Sequence, residues 1–440
     1  MTDTAYWCER AWLPDAIAPR VLVRAGAGGT ITEVSFVDTP PLGAIRLRGL
    51  VFPGFANAHS HAFHRALRGR THGAGGTFWT WREGMYRLAE RLDPDGYLRL
   101  ARAVYAEMAV AGIACVGEFH YLHHGPGGAR YADPNAMGEA LRRAAADAGI
   151  RLTLLDTCYL AGGIGKPLAG TQPRFGDGSV AAWAERLAGM REDATTRIGA
   201  AIHSVRAVPA DALPDLVAAA PPDRPLHVHL SEQPAENEAC LAAYGRTPTE
   251  LLHDAGALSA RTTAVHATHL READIDLLGG AGVTACLCPT TEADLADGLG
   301  PARALADAGC PLALGSDQHA VVDPFAEARA LEHGERLRTG RRGHFTPADL
   351  VTAATAGGHA SLGWPEAGRI AEGAPADLVA VRLDSPRTAG VLPEQALFAA
   401  TASDVDTVVI GGRVVACDGR HVLLGDVGRL LTEAIGELWR

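Results

Sequence analysis

Eight apolar, strand-like runs alternate with amphipathic stretches through the middle of this 440-residue chain, and that alternation is its strongest constraint on fold. The runs end near His59, Glu118, Thr157, His203, His229, His266, Cys288 and Asp317. Helical patterns lie between them, among them Asp95 to Ala111, Pro134 to Ala148 and Val180 to Ala188. Such alternation calls for parallel pairing, because a crossover helix returns the chain to the same end of the sheet. Eight units is the count of a (β/α)8 barrel, whose reacting groups collect at the C-terminal strand ends. The chain ends differ from the middle. Arg20 to Arg24, Ile31 to Val37, Ala376 to Arg382, Val405 to Gly411 and Arg413 to Cys417 read as short strands with glycine turns. The expected architecture is α/β, with a TIM-like barrel over residues 51–369 and a small β-sandwich domain formed by residues 1–50 and 370–440.

Four of the barrel runs end in residues that carry chemistry. His59-Ser60-His61 closes the first, and strand alternation sends both imidazoles to one side. His229 lies in Leu226-His227-Val228-His229-Leu230-Ser231-Glu232, His266 closes Thr263-Ala264-Val265-His266, and Asp317 closes Leu312-Ala313-Leu314-Gly315-Ser316-Asp317. Three imidazoles and one carboxylate around an open position suit a catalytic metal that keeps room for water. Nitrogen and oxygen donors admit zinc and do not exclude iron. His227, deeper in its strand, reads as a core histidine, and His269, His123 and His124 as loop residues.

Composition narrows the partners. A net charge of −11 disfavours nucleic acid and anionic membranes, which reward cationic surfaces. No apolar run of membrane-spanning length is present, and the first residues lack a signal-peptide pattern. Eight cysteines with no Cys-x-x-Cys pair do not form a disulfide framework, so the expectation is a reducing cytoplasm. Of 40 basic residues only Lys166 is a lysine, and its Gly/Pro-rich surroundings look poor for a rigid catalytic group.

His59-Ser60-His61, His229 with Glu232 three residues on, His266 and Asp317 together resemble the amidohydrolase superfamily over nearly the whole chain. The fourth strand, Ile198-Gly199-Ala200-Ala201-Ile202-His203, lacks the lysine that bridges two metals in many members. The resemblance therefore implies one metal ion per subunit, zinc by expectation, held by His59, His61, His229 and Asp317. It also implies hydrolysis at a C=N carbon. Asp317 would take the proton of the attacking water, His266 would hold the nucleophile and stabilise charge, and Glu232 would protonate the departing nitrogen.

Flanking segments sharpen the expectation. His59-Ser60-His61-Ala62-Phe63, Thr77-Phe78-Trp79-Thr80-Trp81-Arg82-Glu83, Glu118-Phe119-His120-Tyr121 and His203-Ser204-Val205-Arg206 are similar to the formimidoylglutamate deiminases. That family implies a small dicarboxylate substrate with a formimino group, histidine degradation, and a homodimer. Arginines suit two carboxylates because a guanidinium binds a carboxylate through parallel hydrogen bonds. The resemblance makes Arg82, Tyr121, His203 and Arg206 substrate contacts. His64 stands where this family often has glutamine, and it can still donate a hydrogen bond. Gln318 stands where a small hydroxyl residue is expected. Two other readings stay open: a mononuclear deaminase of a purine or other heterocycle, and an inactive barrel serving as a binding subunit.

Overall fold

The computed structural model describes residues 3–73 and 76–440. Eight parallel strands follow one another around the barrel: Phe55–Ser60, Ile113–His120, Arg151–Cys158, Thr196–Ile202, Leu226–Leu230, Thr262–His266, Thr284–Leu287 and Leu312–Leu314. A parallel bridge between Ser60 and Asp317 brings the last back to the first. Every residue of the second and third strands is buried, as expected of parallel strands covered on both faces. The helix Val180–Ala188 spans the residues its periodicity predicts, with Ser179 accepting from the Ala182 N–H at its start.

Both termini build a second, mixed sheet of eight strands. Ile45–Pro53 pairs in parallel with Thr4–Trp12 and antiparallel with Leu378–Val381, so the two chain ends meet at that strand. The apolar run that reads as one strand, Leu50 to Ala58, is two. Ile45–Pro53 serves the terminal sheet, and Phe55–Ser60 opens the barrel. The break falls at Gly54, where a Cβ would come within 2.7 Å of both Ala114 and Asp377. Asp377 fixes that crossing from the other side. Its carbonyl accepts from the Gly54 N–H at 3.0 Å, one carboxylate oxygen accepts from the Gly411 N–H at 2.8 Å, and the other pairs with Arg151.

The connection after the first barrel strand holds a helix, Phe78–Ala89, that carries the Phe78-Trp79-Thr80-Trp81-Arg82 segment. Thr77 and Thr80 cap it reciprocally. Its far end is stapled by Arg174, a fully buried residue whose guanidinium donates to the carbonyls of Ala89, Leu92 (2.6 Å) and His124 (2.9 Å). This arginine joins the loops after the first three strands, which form one wall of the barrel mouth. All eight cysteines are free. No helix among the described residues is long and apolar enough to cross a membrane.

Arg174→Met strands the buried carbonyls of Leu92 and His124, each worth about 1–3 kcal/mol when unpaired, while the Ala89 carbonyl keeps the Leu92 N–H. The expected loss of unfolding free energy is about 2 kcal/mol or more, read from the urea midpoint. An unchanged midpoint would show that these loops do not depend on the arginine.

Candidate active site

His59 and His61 project from the first barrel strand on the same side, because His61 keeps an extended backbone (φ −124°, ψ 91°). The eighth strand delivers Asp317 to them through three backbone bonds. Ser316 and Asp317 N–H groups donate to the His59 carbonyl at 3.1 and 3.0 Å, and the His61 N–H donates to the Asp317 carbonyl at 3.1 Å. Behind this seam runs a buried polar chain. Asn57 Nδ2 donates to Ser316 Oγ (2.7 Å), Ser316 Oγ contacts His319 Nδ1 (2.8 Å), and His319 Nε2 contacts Ser60 Oγ (3.2 Å). Glu118 ends the chain, accepting from Ser60 Oγ and the Ala62 N–H, both at 2.7 Å. Burial pushes the Glu118 carboxyl up to about 7, although those donors pull it down.

Five donor groups converge at the seam. His59 Nε2 lies 3.1 Å from His229 Nε2 and 3.3 Å from Asp317 Oδ1. His61 Nε2 lies 3.3 Å from His229 Nε2 and 3.4 Å from Asp317 Oδ1. His266 Nε2 stands 4.0 Å from Asp317 Oδ2 and 3.7 Å from Glu232 Oε1. Two tautomers follow from the neighbours. His61 Nδ1 faces the Phe119 carbonyl and His229 Nδ1 the His203 carbonyl, both at 2.9 Å, so each Nδ1 carries the proton. The facing Nε2 atoms then present lone pairs to each other. Burial, reinforced by like charge on neighbouring imidazoles, holds His61 down at about 3 and His229 well below its ordinary range, so no second proton relieves the repulsion. A cation between them does, and these donors fit a divalent metal ion.

His266 differs. Burial opposes its charge, but Glu232, Glu292 and Asp317 outweigh burial and raise it to about 10. Its Nδ1 sits 3.4 Å from Glu292 Oε1. The backbone is strained at these strand ends: Ser231, His266, Ala267, Asp317 and His319 all have φ between 41° and 68°. Left-handed backbone away from glycine costs on the order of 1–3 kcal/mol each and concentrates where function dictates geometry.

A cavity of about 270 Å³ opens over this centre. Its wall includes His61, His229, Glu232, His266 and Asp317, and also His64, Arg82, Tyr121, His203 and Arg206. Thus the structure brings the whole sequence-predicted set together, with fully buried His59 behind the wall. His64 Nε2 meets Tyr121 Oη at 2.8 Å, and His203 Nδ1 meets Ser204 Oγ at 3.2 Å. Arg206 donates to Glu232 Oε2 at 3.0 Å and lies 3.8 Å from Glu236. Arg82 sits on the helix Phe78–Ala89, donates to Tyr86 Oη at 2.6 Å and lies over the Trp79 ring. Gln318 turns away to Asp294 at 2.7 Å.

The histidines set aside as structural have protein partners. His227 meets the Ser361 carbonyl (3.0 Å), His123 the Thr157 carbonyl (2.9 Å), His124 the Asp177 carboxylate (3.0 Å) and His269 the Asp297 carbonyl (2.7 Å). His120, His123 and Asp156 form a second close donor group, but Arg186 already pairs with Asp156 at 2.5 Å. Of the further site residues, Glu292 and Tyr159 carry no signal in the sequence pattern, and Glu118 is marked there only as a strand end. Glu236 lies in the first turn of the helix Pro234–Tyr244 that follows Glu232, which is the signal that could have found it.

A family model described as Amidohydrolase family matches residues 50–415. A formimidoylglutamate deiminase from Pseudomonas aeruginosa is 39% identical, covering 99% of each chain. The crystal structure of an amidohydrolase from Brucella melitensis superposes with a TM-score of 0.90 at 32% identity, over 99% of this chain and 100% of that one. An adenosine deaminase from Xanthomonas campestris with bound zinc shares the fold, with a TM-score of 0.83 at 23% identity over 99% and 97% of the two chains. With its barrel seam, its convergent donors and these likenesses, the chain belongs to the amidohydrolase family.

Proposed function

We propose that this protein hydrolyses N-formimino-L-glutamate to N-formyl-L-glutamate and ammonia, a step of histidine breakdown. The observation that carries the reading is one cavity whose wall holds both a proton-handling set and the arginines a dicarboxylate needs. The 39% identical deiminase supports the same substrate. His59, His61, His229 and Asp317 would hold one divalent ion, zinc in our reading. When bound, such an ion supplies a water acidic at neutral pH, with a pKa of about 7.

The side chains handle the remaining work. Water oxygen forms a bond to the formimino carbon as the C=N π electrons move to nitrogen. Asp317 accepts the proton that this water loses. His266, kept protonated by Glu232, Glu292 and Asp317, faces the developing negative charge. Glu232 gives its proton to the imino nitrogen as the π electrons arrive, and the proton held by Asp317 then passes to the same nitrogen. The C–N bond breaks to release ammonia instead of an amide anion, while the adduct's O–H electrons form the C=O bond and that hydroxyl proton returns to Glu232. Arg82 and Arg206 hold carboxylates, with His64, Tyr121 and His203 as further contacts. A neutral heterocycle would leave the Arg82 guanidinium without a counter-charge, which disfavours a purine substrate. An inert binding barrel would have no use for Glu232 and His266 set at 3.7 Å.

Ammonia release should be fastest from N-formimino-L-glutamate when compared with N-formimino-L-aspartate, guanine and adenosine. Preference for a heterocycle would overturn the substrate. Glu232→Ala should keep its metal and lose about 10²–10⁴-fold in kcat, whereas His229→Ala should lose metal. Equal metal loss in both, by elemental analysis, would refute that division. His64→Ala should raise KM for formiminoglutamate, and an unchanged KM would remove His64 from the substrate contacts.

A further inference from the structure

We propose that Lys166 is a specificity-determining residue, a third cation at the cavity that receives the outer carboxylate of a dicarboxylate substrate. The assignment rests on the reaction proposed above. Lys166 belongs to the cavity wall, and its methylene stem runs beside Gly163, whose backbone lines the same space. It is exposed, so it addresses the mouth of the cavity, away from the metal-ligand seam.

Its loop is tied down, contrary to what its glycines and proline suggest. The Gly162 N–H donates to the Lys166 carbonyl and the Lys166 N–H to the Gly163 carbonyl, both at 2.9 Å. Leu160 and Ala161 N–H groups both donate to the Ala207 carbonyl, at 2.7 and 2.9 Å, which joins the loop to the residue after Arg206. Gln172 joins it to the Arg82 side. The Gln172 amide reaches Gly162 O (3.3 Å), Tyr86 Oη (3.1 Å) and Tyr159 Oη (3.2 Å), and Tyr86 Oη accepts from Arg82. Gly162 packs so closely that a Cβ would lie 2.4 Å from the Pro167 carbonyl and 2.6 Å from the Gln172 amide oxygen. One hydrogen-bonded frame therefore sets the Lys166 backbone relative to the elements that carry both arginines.

Charge accounting gives the lysine its task. Arg206 is compensated by Glu232 and Glu236 before any ligand arrives. Arg82 and Lys166 make no ion pair among the described residues. With the Arg206 charge already neutralised, Lys166 adds to Arg82 the further positive charge that the second, outer carboxylate needs. A substrate with only one carboxylate has no use for the second cation.

The single lysine makes the test clean. Lys166→Gln is expected to raise KM for N-formimino-L-glutamate about three- to fivefold, with the loss in KM more than in kcat, and Lys166→Arg to restore it. The ratio of kcat/KM for N-formimino-L-glutamate over N-formiminoglycine should fall in Lys166→Gln. Equal losses on both substrates would mean a merely structural lysine and overturn the proposal. A second readout needs no turnover. Acylation of Lys166 in the wild-type holoenzyme by N-hydroxysuccinimidyl acetate, followed by peptide mass, should be slowed by N-formyl-L-glutamate and not by formamide. Acylation indifferent to N-formyl-L-glutamate also overturns the proposal. Absence of ammonia release by the wild type would instead overturn the reaction, and the acylation result would still judge Lys166.

Discussion

The seam between the first and last barrel strands is the constraint on which the rest depends. The eighth strand is only three residues long, so its own ladder is weak. The His59 carbonyl closes the barrel by accepting from both Ser316 and Asp317. Those bonds place a carboxylate against two imidazoles whose lone pairs point at one spot. Closure of the fold and assembly of the donor set are thus one event. The Asn57–Ser316–His319–Ser60–Glu118 chain guards it from behind, satisfying polar groups that would otherwise be buried without partners.

Charge is distributed with the same economy. The protein is acidic overall, yet its cavity gathers Arg82, Arg206 and Lys166. Arg206 is paired within the wall, with Glu232 at 3.0 Å and Glu236 at 3.8 Å, whereas Arg82 and Lys166 have no acidic partner among the described residues.

Much of this was legible in the sequence, for a physical reason. Period-two alternation and the βα order fix where His59, His61, His229, His266 and Asp317 emerge, and neither depends on distant contacts. What escaped reading depends on such contacts. The run from Leu50 to Ala58 has no internal signal that it serves two sheets. The division comes from Ala114 and Asp377 crowding Gly54. The helix Phe78–Ala89 hid in an aromatic stretch with a weak helical preference, and its Thr77–Thr80 cap and Arg174 staple hold it. Lys166 looked loosely placed because local composition is silent about Gln172.

Asp377 has a wider consequence. It ties the crossing at Gly54, the third barrel strand through Arg151, and the hairpin turn at Gly411. The terminal sheet is consequently no detachable module. A recombined barrel that discards the C-terminal segment also discards the counter-charge of Arg151 and the acceptor for Gly54, at the point where the chain enters its first barrel strand. Modular exchange between relatives should therefore respect a unit larger than the barrel, with both chain ends inherited together.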